Sequence, residues 1–204
     1  MKFRETRWVA LAILAAGLPG FSQQRPADMP QITLSVYNDA RVPEQVLAKA
    51  ERKATRIFHQ AEVKLVWIAC SPSRRQGASD PACVNRMGGS HLAVRIVPWS
   101  ATSGGAVFGV AFLSPEGQGA YSDVFYESVE KLHEDWHIDI ATLLANVIAH
   151  EVGHLLLGQH AHAELGIMRS KWQGEELRSI AMGGLLFTPS QIESFKTRLS
   201  ALQK

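Results

Sequence analysis

The stretch "IATLLANVIAHEVGHLLL", Ile140 to Leu157, constrains the fold more than any other part of the chain. On a helical projection Ile140, Leu143, Leu144, Val147, Ile148, Val152, Leu155 and Leu156 spread almost all the way round. A helix apolar on every side belongs inside a protein rather than on its surface. Yet the same stretch carries His150, Glu151 and His154. Buried polar groups without partners cost on the order of kilocalories each. Whatever fold encloses this helix must therefore also give these three side chains something to bind. Asp135 or Asp139 is placed to cap its start. Gly158 is placed to end it, because glycine adopts the left-handed backbone at little cost.

Histidines at i and i+4 lie one turn apart on one helix face. Both imidazoles can reach one ion. Glu151 is rotated by about 100° from His150, so it is poorly placed as a further ligand but well placed to take a proton from water beside the ion. This is the H-E-x-x-H arrangement of zinc hydrolases. A catalytic zinc usually has three protein ligands and an open position, so a third ligand is expected beyond the helix. His160 and His162 both follow the break at Gly158, and helical periodicity cannot choose between them.

Around this helix the pattern reads as one α/β (α+β) domain, residues 32–204, with a twisted mixed sheet and a small, mostly helical C-terminal part. "QITLSVYN" alternates Ile32, Leu34 and Val36 as a strand does. Val46, Leu47, Ala50, Ala54, Ile57, Phe58 and Ala61 recur at three and four residues, which predicts an amphipathic helix after Pro43. "KLVWIAC", "HLAVRIVP" and "GGAVFGVAFL" read as further strands, and "GQGAYSDVFYESV" as a short, irregular one. Near the C-terminus Thr188 and Pro189 open a helix carrying Ile192, Phe195, Leu199 and Leu202 on one face.

The first 22 residues have Lys2, Arg4 and Arg7 ahead of an apolar run from Trp8 to Leu18 and then small residues. That order predicts a cleaved signal peptide at 1–22, followed by a polar linker at 23–31, and export to the periplasm or the outside. Without residues 1–22 the chain holds 18 basic and 18 acidic residues, a balance that gives no reason to expect nucleic acid as a partner. No segment beyond the N-terminal run is expected in a membrane, and a monomer is expected. In an exported chain, Cys70 and Cys83, closing a short polar loop, read as a disulfide.

The site residues carry a resemblance as well. His150, Glu151 and His154, with "GIM" at Gly166–Met168, resemble the metzincin zinc peptidases, whose motif extends H-E-x-x-H to a later glycine, a third histidine and a Met-turn. The segment from Gly109 to Val129 is similar to matrixins within that group. The likeness spans roughly residues 32–172 and points to a small, exported form of bacterial type. It implies one Zn²⁺ on His150, His154 and a third histidine, with Glu151 as the base and Met168 as the apolar floor beneath the ion. It also implies that Phe108, Gly109, Val110, Ala111 and Phe112 form an edge strand that pairs with an extended peptide. One departure bears on the third ligand. Gly158 stands one place later than the family's glycine, which implies a helix one residue longer and favours His162, with His160 as the alternative.

The expected activity is hydrolysis of peptide bonds by an exported zinc endopeptidase. Two other functions fit the same residues less fully. One is a zinc-containing protein that binds peptide or envelope material without turnover, and the other is a zinc hydrolase of a non-peptide amide or ester.

Overall fold

The computed structural model describes residues 29–70, 83, 89–99 and 107–202. The segment read as a signal peptide lies outside the described residues. So do most of the expected linker, the loop between the cysteines, and the glycines Gly104 and Gly105. Gln31, assigned to the linker on sequence grounds, is already the first residue of a strand.

Five strands form one sheet: β1 (Gln31–Asn38), β2 (Lys64–Cys70), β3 (His91–Val97), β4 (Gly109–Leu113) and β5 (Gly119–Phe125). Their order is β2-β1-β3-β5-β4. β1, β2, β3 and β5 run parallel, and only β4 is antiparallel, against β5. The mixed α/β class read from the sequence is the class observed. Helix α1 (Glu44–Gln60) carries the first parallel crossover, as parallel pairing requires.

The alternating residues Ile32, Leu34, Val36, Leu92, Val94, Ile96 and Val124 share one buried cluster with Ala50, Ala54, Ile57 and Phe58 of α1. The apolar side chains of α3 (Ile140–Leu157) complete it. A one-residue slip would turn every one of these strand side chains away from that cluster. On β2, Trp67 leans to the helical side and donates its indole N–H to Thr55 Oγ1 at 2.8 Å. The Tyr37 hydroxyl donates to the Cys83 carbonyl at 2.7 Å, and Cys83 is disulfide-bonded to Cys70 at the end of β2.

α3 is long and apolar enough to cross a membrane, which the sequence reading did not anticipate of any segment beyond the N-terminal run. Its residues are 78% buried inside this fold, against the sheet on one side and α1 on another. Its start is at Ile140, not Asp135: Asp139 accepts the Thr142 backbone N–H at 3.0 Å and the Thr142 hydroxyl at 2.7 Å. Asp135 belongs to a different helix, α2 (Tyr126–Trp136), where the sequence suggested only the tail of an irregular strand. The apolar alternation stops at Phe125, and α2 buries just Tyr126 and Val129. Its apolar stripe is too narrow to announce a helix. The C-terminal part holds α4 (Gly174–Ala181) and α5 (Pro189–Leu202). At the start of α5 the expected roles are reversed: Gln191 Oε1 accepts the Thr188 backbone N–H at 2.9 Å, while the Thr188 hydroxyl pairs with Ser190.

Asp139→Ala should lower stability by ~1 kcal/mol, the usual worth of an N-cap. Asp139→Ser should retain most of it, because the exposed ion pair with Lys49 adds little. Chemical denaturation of the three proteins checks this; an unchanged midpoint for Asp139→Ala would be the contrary result.

Candidate metal centre and cleft

The second half of α3 carries His150, Glu151 and His154 to the floor of a cleft of about 340 Å³. β4 and the two residues before it form one wall, lined by Val107 to Ala111. The segment after α3 forms the other wall, with His162, Arg169, Ser170 and Trp172.

That segment is bent by its own hydrogen bonds. α3 ends at Leu157, and the Gly158 N–H still reaches the His154 carbonyl at 2.9 Å. Gly158 then takes φ +83°. A Cβ there would stand 2.8 Å from the Gly117 carbonyl oxygen, so both the turn and the close approach need glycine. The chain returns beneath the helix, where Ala163 N–H bonds the Met168 carbonyl at 3.0 Å and Ile167 N–H bonds the Leu186 carbonyl at 2.9 Å.

This return brings His162 beside the helical histidines. The rings of His154 and His162 are 4.7 Å apart and those of His150 and His162 5.5 Å. One nitrogen from each of His150, His154 and His162 falls within 4.8 Å of the others. His160 is exposed, with φ +60°, and is not in that group.

The ring nitrogens are not equivalent. His150 Nδ1 donates to the Ile167 carbonyl at 2.7 Å. Its Nε2 is thereby left as the free nitrogen, 3.1 Å from His154 Nε2. A carbonyl partner of this kind fixes ring direction and tautomer in metal-binding histidines. Burial pushes the pKa values of His150 and His154 down to about 4. His162 sits at the rim, but the covered side of its ring lowers its pKa too. Near neutral pH all three are uncharged imidazoles, the form that binds metal. Three neutral nitrogen donors converging on one open side make a donor set that suits zinc.

Glu151 is buried, and burial pushes its carboxyl up to about 8. It faces the cleft without belonging to the nitrogen cluster. β4 presses directly on it: a Cβ at Gly109 would come within 2.7 Å of both Glu151 Cγ and Cδ, and of the Asp123 carbonyl oxygen. Met168 is fully buried, and a Cβ on Gly153 would overlap its Sδ.

The expected edge strand is the observed one, shifted by a residue: Phe108 precedes it and accepts the Phe125 N–H at 2.8 Å through its carbonyl. Phe112 belongs to the strand, but its ring stacks on Tyr121 at 5.2 Å and does not line the cleft. His133 and His137 stand outside the cleft; His133 Nδ1 donates to the Ile138 carbonyl. His91 is buried and bonded to Ser35.

Two wall residues escaped the sequence reading. Trp172 stacks on Phe108 at 5.8 Å and stands edge-on to His150 at 5.6 Å. Its indole N–H donates to the same Ile167 carbonyl that holds His150. Arg169 is the second. No motif marks either one; only the turn at Gly166–Met168 brings them to the cleft.

No protein-family model matches the sequence, and no curated protein matches it. Among solved structures the fold is similar to the archaemetzincin of Methanopyrus kandleri. That pair shares 17% identity over 84% of this chain and 97% of the other, with a TM-score of 0.48. It is also similar to metalloproteinase-II of Bacteroides fragilis, at 12% identity over 88% of this chain and 55% of the other, with a TM-score of 0.49. Support for a function therefore comes from the chain's own residues.

Gly153→Ala should destabilise the protein by ~1–3 kcal/mol, because the added methyl overlaps a sulfur that has no room to withdraw. Thermal unfolding against the parent chain checks it, and a gain in Tm would contradict the packing described.

Proposed function

We propose that the protein is a zinc-dependent peptidase, exported by its N-terminal segment, that hydrolyses peptide bonds within the cleft between β4 and the Met168 segment. The observation that carries this reading is the convergence of His150, His154 and His162 in a cleft that also holds Glu151. Those three histidines would hold one ion. Zinc there would supply Lewis acidity, polarising an amide carbonyl and easing the loss of a proton from water.

The chain's own residues do the rest. The Ile167 carbonyl keeps the His150 ring turned so that Nε2 faces the cleft. Glu151, held in place by Gly109, accepts a proton from the attacking water at a carboxylate oxygen and returns it to the departing amine. Its high pKa in the metal-free chain reflects burial alone; a cation alongside favours the charged, accepting form. β4 is the sheet's outer strand, so among the described residues its free backbone groups are open to an extended peptide laid beside it. That open edge favours a peptide over a small ester or amide.

The purified protein should bind one zinc per chain by metal analysis and lose both zinc and proteolysis of a denatured protein when treated with a chelator. Glu151→Gln should keep the metal and lose hydrolysis, whereas His150→Ala should lose the metal. A Glu151→Gln protein without zinc would make that side chain a ligand and defeat the mechanism. For the third ligand, His162→Ala should release zinc and His160→Ala should retain it; the reverse result would move the assignment to His160. Gly109→Ala should hold zinc yet slow hydrolysis, since its methyl displaces the Glu151 side chain.

A further inference from the structure

We propose that Arg169 makes this cleft selective for a carboxylate on the substrate. The proposal rests on the peptidase reading and adds a substrate class to it. Among the described residues lining the cleft, Arg169 is the one permanent cation. The same cleft is lined by the stacked aromatic pair Phe108–Trp172, with Trp172 in the same wall as Arg169.

The guanidinium is anchored on one side. Arg169 Nη1 donates to Glu176 Oε1, and Glu176 Oε2 accepts the Gln173 backbone N–H at 2.9 Å. Glu176 is only 6% exposed and belongs to the capping box of α4, so the anchor cannot drift. The Arg169 backbone is fixed too, through its N–H to the Gly166 carbonyl at 3.1 Å and its bridge to Ala163, next to His162.

A guanidinium has five N–H donors in a rigid fork. One is committed to Glu176, and the remainder have no bonded partner among the described residues. A fork held in place loses little side-chain entropy on binding and matches a carboxylate with two parallel hydrogen bonds. Ser170, exposed beside it in the same wall, offers a hydroxyl as a further donor. The carboxylate could be a glutamate or aspartate side chain, or the free C-terminus of a short peptide; both present the same two oxygens.

Calorimetry on the zinc-loaded Glu151→Gln protein tests this without relying on turnover. The probes are four N-acetylated tetrapeptides that carry either Glu or Gln at one position and end in either a free acid or an amide. Binding should weaken about tenfold or more when the recognised carboxylate is removed, the usual scale for a charged hydrogen bond. The Glu/Gln and acid/amide comparisons identify which carboxylate it is. Arg169→Met should abolish that discrimination and Arg169→Lys should restore part of it. Removing the arginine alone leaves Glu176 buried and unpaired, so the pair Arg169→Met with Glu176→Gln provides a variant of balanced charge. Equal binding of all four peptides by the parent chain, no binding of any, or discrimination that survives in the double variant would overturn the proposal. A chain that cleaves peptides but ignores the carboxylate loses only this inference. One that binds carboxylates through Arg169 but never cleaves in its Glu151 form loses the peptidase reading instead.

Discussion

The carbonyl of Ile167 ties the molecule together. It accepts from His150 Nδ1 and from the Trp172 indole, so a single backbone oxygen joins the central helix, the turn beneath it and the aromatic wall of the cleft. Ile167 is itself buried, and its N–H is bonded to Leu186. Unless the chain doubles back after Gly158, that oxygen is not under the helix. His150 would then face an apolar interior with an unsatisfied nitrogen, and His162 would not approach it.

This arrangement shows how a helix buried over most of its length accommodates polar side chains. α3 is enclosed by the sheet, α1 and the C-terminal part, and its second half opens to the cleft under β4. There the burial that would penalise charge acts usefully: it keeps His150 and His154 neutral and holds the Glu151 carboxyl above its usual range. The cost of burying these groups and their readiness for a cation have the same cause, removal from water. The missing side chains at Gly109 and Gly153 let the strand and Met168 close in on that opening.

Much of this was legible in the chain. The α1 face at Ala50, Ala54, Ile57 and Phe58 is periodic and is the face that packs. The alternating residues of β1 point where period two sends them, and the histidine and glutamate spacing of α3 is a local property of any helix. α2 was illegible because it buries too little to leave a pattern. Trp172 was illegible for another reason. An aromatic residue after a turn reads the same whether it fills a core or lines a cleft, and only the direction of the return decides. Arg169 left no trace either, since one arginine in a loop carries no periodicity.

The sequence by itself determined that a buried helix would run up to Gly158 and that His150, Glu151 and His154 would share its second half. Helical geometry and the aversion of aliphatic side chains to water suffice for both. It also narrowed the loop histidine to two positions. The tertiary structure alone decided that His162 and not His160 comes beside the helical pair, and that Trp172 and Arg169 face the same space. Those placements depend on hydrogen bonds between residues distant along the chain: Ile167 to Leu186, His150 to Ile167, Arg169 to Glu176. No local propensity encodes a bond whose partner arrives only when the rest of the chain has folded.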